Sequence, residues 1–353
     1  MHRPALRTSA PLVFGALLLT SCTQAPEPEV VEEPVDQASL EEFLNEHDDV
    51  LAEEAVVMVL RDGQTHTAST SGADEDTVFE LASLSKPMTG MLLADAVERG
   101  EVDLDDPVQD HLTELEGTEA GEVTLEELAT HTAGLPLVPE ADGFAEQDRQ
   151  ARNAGENPYT VTTEELIDLA AQQDVGERGR YVYSNLGIAL LGHALAEQAG
   201  TSYDQLLHQR LTGPLGMEDT TTSDAEGHPS DDDLIQGYDS TGEVEDFGSA
   251  AFSPASASRG TPRDYLRLIE GIFDETAPGS EAVEPSEIHP EMGLGWHMKP
   301  EGYAWHNGIS NGYAALAALD PETETAVVLF SNYGQENSAL GMDLLEDILD
   351  AAA

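Results

Sequence analysis

Phe79-Glu-Leu-Ala-Ser-Leu-Ser-Lys-Pro-Met-Thr-Gly90 is the stretch that decides how this chain is read. Within it Ser83 and Lys86 stand three residues apart. Positions i and i+3 share a helix face, with Cβ atoms about 5–6 Å apart, so a hydroxyl and an amine come within reach. Pro87 is best tolerated in a first helical turn, where its missing N–H breaks little. A helix is therefore expected to begin close to Ser83, run through Met88, Met91, Leu92 and Ala96, and stop near Gly100. Ser83 would then stand at the positive end of that helix, where backbone N–H groups face any oxyanion that forms. Ser-x-x-Lys alone is a weak signal. Here the chain has two lysines, Lys86 and Lys299, against 70 acidic residues, and one of the two sits beside this serine. The plain alternative is a surface lysine behind an N-cap serine.

The 353 residues suffice for one large domain or two moderate ones, and 40% hydrophobic residues suffice for a core. A formal net charge of −56 makes nucleic acid and anionic membranes poor partners. So acidic a chain could be disordered, but Gly, Ala, Leu and Val recur in regular patterns past residue 38. Acid excess with near-absent lysine reads instead as adaptation to high salt, a halophilic source.

The N-terminus reads as a targeting segment. His2, Arg3 and Arg7 give a positive start, and Pro11 to Thr20 is apolar but too short to span a bilayer. Leu19-Thr-Ser-Cys22 resembles a bacterial lipobox, and Cys22, the only cysteine, is the expected lipid attachment site. Residues 1–22 are thus a lipoprotein signal peptide and 23–37 an acidic, Pro- and Glu-rich tether. Membrane association is expected through that anchor alone, with the protein outside the cytoplasmic membrane or secreted.

The folded domain is expected over 38–353. Ala38 to Leu51 reads as an amphipathic helix, and Ala55 to Leu60 as a buried strand. Arg61-Asp-Gly-Gln64 carries a hairpin signature leading into a return strand over Thr65 to Ser71. A mostly helical subdomain follows over about 101–247. It holds a capping box at Thr124 and Glu127 and helices over Thr163 to Gln172, Asn185 to Gly200 and Tyr203 to Leu211. An acidic loop, Ser223 to Leu234, interrupts it. Beyond Ala257 come a helix over Thr261 to Phe273 and strand-like runs at Gly295 to Lys299, Tyr303 to His306, Tyr313 to Leu319 and Ala326 to Asn332. A helix over Ser338 to Ala352 closes the chain. Strands at both ends with helices between predict an α+β fold: one antiparallel sheet built from both chain ends, flanked by helices, with the helical subdomain inserted.

Three further strings join the first. Tyr181-Val-Tyr-Ser-Asn185 places Tyr183 and Asn185 just before a helix, His131-Thr-Ala-Gly-Leu-Pro136 lies in the helical region, and His306-Asn-Gly308 lies between strands. Together and in this order, over about 38–350, they resemble the serine β-lactamase and penicillin-binding-protein superfamily, with its β-lactamase/transpeptidase-like fold. The nearest branch is that of class C β-lactamases and their esterase and D-aminopeptidase-like relatives. The resemblance implies that Ser83 is the acylated nucleophile. Lys86 is then its proton acceptor or orienting charge, Tyr183 a general base shared with it, and Asn185 a holder of the substrate amide or the lysine. It also implies an oxyanion hole from the backbone N–H groups of Ser83 and Ile309, the residue after Gly308. Independently, a serine hydroxyl needs an adjacent base that is partly deprotonated. Burial lowers a lysine pKa and nearby acids raise it; sequence leaves the outcome open.

His306 departs from the Lys-Thr-Gly expected of class C β-lactamases. A neutral histidine attracts a carboxylate less than a lysine does. An ester, amide or D-amino-peptide hydrolase acting through an acyl-enzyme is therefore expected, with a dedicated class C-like β-lactamase, or a non-catalytic penicillin-binding-like protein, as the alternatives. Gly308-Ile-Ser-Asn-Gly312 fits a G-x-S-x-G elbow, but it lies between strands, where that motif needs a strand and then a helix, so Ser310 is a poor nucleophile candidate. Ser85 should face away from Ser83. His131 is read as structural, Trp296 as core, and Arg259 as either a pocket or a surface residue. No histidine or cysteine cluster has metal-ligand spacing, and no phosphate loop follows a strand, so neither metal nor cofactor is expected. The expected partner is a small-molecule or peptide substrate, and the expected state a monomer.

At about 1 M salt the screening length is about 3 Å and self-repulsion among the acids largely disappears. Thermal unfolding monitored by circular dichroism should show the midpoint rising from low to molar salt. A salt-independent midpoint would count against the halophilic reading.

Overall fold

The computed structural model describes residues 35–51, 54–70, 72–222 and 233–351. The signal segment, Cys22, most of the tether and the greater part of the acidic loop after Ser223 lie outside the described residues.

A six-stranded antiparallel sheet is built from both ends of the chain, as the sequence predicts. Strands β1 (Ala55–Arg61) and β2 (Gln64–Ser69) form the N-terminal hairpin. Its turn places Asp62 and Gly63 both at positive φ, 52° and 67°, which is what the Asp-Gly pair permits. Two short strands come next, β3 (Phe79–Glu80) and β4 (Thr221–Thr222), then β5 (Ser258–Gly260). Strands β6 (His297–Met298), β7 (Ala304–Ile309), β8 (Ala314–Asp320) and β9 (Thr325–Ser331) complete the large sheet. Its order is β2-β1-β9-β8-β7-β6, with Ala55 opposite Ser331 and Ala314 opposite Ile309. Strand β3 instead joins β5 and β4 in a small second sheet beside the nucleophile turn.

Both faces of the large sheet are covered, which is why β1 reads as a continuous apolar run. Ala55, Val57 and Val59 pack with Leu40 and Leu44 of α1 (Gln37–Glu46) and with Leu345 and Ile348 of the C-terminal helix (Ser338–Asp350). Val56, Met58 and Leu60 point to the opposite face, into a core shared with Met88, Met91 and Leu92 of α2 (Ser85–Glu98). Because α2 is enclosed on all sides, it carries no amphipathic stripe: every residue from Ser85 to Ala96 is buried. Gly90 allows that depth, since a Cβ there would lie 1.8 Å from the Leu294 carbonyl oxygen.

Several elements differ from expectation. The first helix opens at Gln37, capped by Asp36, and breaks near His47 into a second short turn over Asp48–Leu51. The helix at Tyr203 ends at Leu207 and passes into a π-turn over His208–Thr212, ahead of Gly213-Pro214. Only His297–Met298 of the 295–299 run is strand. A helix over Phe144–Ala154 has no counterpart in the sequence reading. Its face is polar nearly all round, Glu-Gln-Asp-Arg-Gln-Ala-Arg-Asn over 146–153, so it offers no apolar period to detect.

One buried acid ties these parts together. Glu80, on β3, is 2% exposed. It accepts the backbone N–H of Phe247 at 2.6 Å and is bonded to the Ser310 hydroxyl at 2.6 Å, joining the nucleophile turn to a helical-region loop and to the end of β7. Burial is the main cause that pushes its carboxyl up to about 8; Asp246 adds to it, and Ser310, Phe247 and Arg259 oppose it. Between about pH 4.5 and 8 the folded chain holds this proton and the unfolded chain does not, so stability falls as pH rises through that window. Glu80→Gln keeps the shape and removes the titration. Denaturant melts from pH 5 to 8 should show the wild type losing more stability than the variant, by at most ~1.4 kcal/mol per pH unit. Parallel losses in the two proteins would refute a protonated Glu80.

Candidate functional site

Ser83 sits in a 3-10 turn, Ala82–Leu84, two residues ahead of the start of α2 and not in the helix itself. Ala82 is forced to φ 46°, a left-handed conformation that alanine rarely adopts. Surrounding bonds hold it there: Leu81 N–H donates to the Ser258 carbonyl, the Ser85 hydroxyl donates to the Ala82 carbonyl at 2.7 Å, and Tyr265 Oη donates to the Leu84 carbonyl. Ser85 is thus spent on the turn, as expected of a residue facing away. Pro87 falls in the first turn of α2.

Lys86 Nζ lies 2.9 Å from Ser83 Oγ and donates to the Ala255 carbonyl at 2.7 Å. The lysine is wholly buried, and no carboxylate pairs with it among the described residues. Desolvation, with Arg152 as a smaller cause, holds its pKa well below 10.5. The question left open by sequence is decided by burial, which favours a neutral amine. Tyr183 stands near both: Ser83 is among the groups acting on its phenol, and its ring centroid is 4.8 Å from Lys86 Nζ. Burial pushes its phenol well above the ordinary range, with Ser83 opposing it, so Tyr183 is protonated at rest. Serine, amine and phenol are therefore brought together.

His131 positions the tyrosine. Its φ is 59°, its carbonyl accepts Val182 N–H at 2.8 Å, and its Nδ1 accepts Ser184 N–H at 3.2 Å. Its ring lies 4.6 Å from that of Tyr183. This agrees with a structural histidine. Ser184 N-caps the helix Asn185–Ala199, placing Asn185 at its first position. Asn185 Nδ2 donates to Tyr159 Oη at 2.9 Å, and its Oδ1 is buried without a partner in the protein. Tyr159 also accepts from Arg152 at 2.7 Å. Tyr159 and Arg152 are the residues that the sequence reading missed; the polar helix that carries Arg152 gave no signal.

The opposite wall is β7. A Cβ at Gly308 would lie 2.1 Å from the Leu81 carbonyl oxygen and 3.2 Å from Ser83 N, so only glycine lets this strand run against the nucleophile turn. Ile309 follows directly and ends the strand. His306 is fully buried, and burial, with His297 and Lys86 nearby, holds its pKa well below 6.5. Its Nδ1 donates to the Asn307 carbonyl at 2.6 Å, which leaves Nε2 as an unpartnered acceptor. His297, pushed down to about 4 by burial and Lys86, lies 5.0 Å from it, ring to ring.

Other candidates fall elsewhere. Ser310 is buried and bonded to Glu80 in the turn between β7 and β8, without the helix that an elbow needs. Arg259 is neither a surface residue nor open to the cleft: it is 4% exposed and paired with Asp246 at 2.5 Å. Trp296 is fully buried. Among the described residues no cluster of His, Cys, Asp and Glu could hold a metal, and no helix is long and apolar enough to cross a membrane.

A family model described as Beta-lactamase matches residues 46–351. A D-alanyl-D-alanine-carboxypeptidase/endopeptidase AmpH of Escherichia coli (strain K12) is 32% identical over 169 residues, covering 45% of this chain and 40% of that protein. The chain thus spans about two fifths of that relative's length. A beta-lactamase of Providencia stuartii is 26% identical over 304 residues, 72% of this chain and 74% of its own. Among solved structures, a class C beta lactamase from Rhodobacter sphaeroides aligns with TM-score 0.71 at 25% identity, over 90% of this chain and 99% of its own. A beta-lactamase from Sulfitobacter sp. EE-36 aligns with TM-score 0.73 at 22% identity over the same shares, a likeness of fold. With the family model covering nearly the whole described domain, the chain belongs to the beta-lactamase family, within the serine β-lactamase and transpeptidase superfamily.

Proposed function

We propose that this chain hydrolyses an ester, amide or D-amino-peptide through an acyl-enzyme on Ser83, in preference to β-lactams. The observation that carries this reading is the 2.9 Å contact between Ser83 Oγ and a desolvated Lys86 amine. A neutral amine accepts the hydroxyl proton as Ser83 attacks the carbonyl carbon. Tyr183, protonated and near the same hydroxyl, passes a proton toward the leaving group and recovers one from the serine–lysine pair. The backbone N–H groups of Ser83 and Ile309 bind the developing oxyanion. Water then attacks the acyl-enzyme by the reverse relay. Asn185 Oδ1, unpartnered in the protein, suits a substrate N–H.

His306 supports the preference. Where a lysine would donate to a substrate carboxylate, this position holds a buried ring whose pKa is pushed well down, not a cation. A β-lactam or a free peptide C-terminus would find no positive charge from this residue. A dedicated class C-like β-lactamase remains the competing reading, supported by the relatives' names. A non-catalytic binding protein is disfavoured by the intact Ser83, Lys86 and Tyr183 cluster. Cys22 and the apolar stretch before it support a lipid anchor outside the cytoplasmic membrane.

The deciding experiment is a panel in molar salt: p-nitrophenyl acetate, a chromogenic cephalosporin and a D-alanyl peptide. Ser83→Ala should abolish turnover and covalent labelling by a fluorophosphonate, Lys86→Met should lower kcat about 10³-fold or more, and Tyr183→Phe by about 10²-fold. Turnover that survives Ser83→Ala but not Ser310→Ala would move the nucleophile. His306→Lys should raise cephalosporin relative to ester turnover by about tenfold or more, the effect of one charge-assisted hydrogen bond. An unchanged ratio would remove His306 from specificity.

A further inference from the structure

A terminal amide can meet a substrate with its oxygen or with its NH₂, and its own torsion is too soft to decide which. For Asn185 the backbone is fixed: it stands at the first position of its helix, and its N–H donates to the Leu137 carbonyl at 2.9 Å. The direction of the amide is then set by Tyr159, whose Oη receives Asn185 Nδ2 at 2.9 Å. With Nδ2 held, Oδ1 is left without a partner in the protein, on a side chain only 6% exposed.

Tyr159 is itself locked. It is 2% exposed, stacked on Phe252 with ring centroids 4.1 Å apart and edge-on to Phe247 at 5.4 Å. Arg152 Nη2 donates to the same Oη at 2.7 Å, and its guanidinium lies 4.8 Å from the Phe247 ring centroid. Asp148, one helical turn earlier, accepts from Arg152 Nε at 3.0 Å. A guanidinium carries donors only and keeps its charge, so it always fills a lone pair of Oη and never takes the place of Asn185 as an acceptor would. Asp148, Arg152, Tyr159 and Asn185 are thus joined by direct hydrogen bonds, none longer than 3.0 Å. At the inner end stands a buried oxygen that nothing in the protein satisfies, where a purely structural chain would close on itself.

We propose that Tyr159, locked by Arg152, is a positioning residue that turns Asn185 Oδ1 toward the substrate, so that acyl groups bearing an N–H are favoured over isosteres that lack one. This rests on Ser83 as the nucleophile and on Asn185 as a substrate contact. Tyr159→Phe keeps the ring and its stack on Phe252 and deletes the hydroxyl that holds Nδ2. The freed amide then turns between orientations, and the N–H loses its acceptor.

The test is a matched pair of substrates in molar salt: the p-nitrophenyl esters of N-acetyl-D-alanine and of O-acetyl-D-lactate, which differ only in an N–H replaced by oxygen. The quantity read is the ratio of their kcat/KM values in each protein, from which the fraction of folded enzyme cancels. Asn185→Ala should lower that ratio about five- to tenfold from the wild type, the effect of one neutral hydrogen bond. Tyr159→Phe should lower it about threefold or more, and Arg152→Met, a second variant that leaves Tyr159 in place, about twofold or more. Tyr159→Phe should change nothing further in the Asn185→Ala background, because the two residues act through one contact. A wild-type ratio in Tyr159→Phe, with a lowered one in Asn185→Ala, overturns this inference and leaves Asn185 as a substrate contact. A wild-type ratio in both overturns it together with the role of Asn185, while Ser83-dependent turnover keeps the hydrolase reading standing. Absence of Ser83-dependent turnover on both esters and on p-nitrophenyl acetate overturns the hydrolase reading and this inference with it.

Discussion

Removal of one ammonium group from water is the constraint on which this site depends. Lys86 lies on a helix that is buried on every side, between the large sheet and the helical region. An ammonium there would lose its hydration without gaining a counter-ion, so burial pushes the amine toward its neutral form. The 70 acidic residues of the chain do not reverse this, because none stands among the causes acting on Lys86. The same burial that makes α2 a core helix lowers the pKa of its second residue, as the proposed role of a base requires.

The rest of the architecture serves that helix. Strand β7 must run close against the turn that holds Ser83, and Gly308 permits it. The turn that carries Ser83 holds Ala82 at positive φ, and the bonds from Ser85, Leu81 and Tyr265 keep that strained conformation in place. Glu80 links the turn to the end of β7 and to the loop at Phe247, so three elements far apart in sequence share one buried carboxyl group. His131, itself at positive φ, carries the Tyr183 segment on its backbone and ring nitrogen. Strain at Ala82 and His131 is concentrated at the proposed reacting groups, where surrounding contacts over-determine it.

Much of this was legible beforehand because it depends on local rules. Asp62-Gly63 specified the first hairpin, Thr124 and Glu127 their capping box, and the apolar run of β1 its double burial. The spacing of Ser83 and Lys86 and the position of Pro87 were sufficient to place a serine beside an amine at a helix start. The polar helix over Phe144–Ala154 was invisible, since its stability comes from contacts and not from an apolar stripe. With it went Arg152, and with Arg152 the significance of Tyr159 behind Asn185. Glu80 was present in the quoted motif, yet its role requires Ser310, 230 residues away.

The sequence by itself determined the identities that chemistry needs: a serine, a lysine three residues on, a tyrosine and an asparagine before a helix, and a histidine where a lysine could have stood. Tertiary structure alone decided their charge states. Whether Lys86 is an ammonium or an amine, and whether His306 offers a donor or a lone pair, depends on the water excluded around each and on which carbonyl each faces, Ala255 or Asn307. Those neighbours are set by long-range packing, because desolvation is a property of the whole enclosure and no local pattern of residues encodes it.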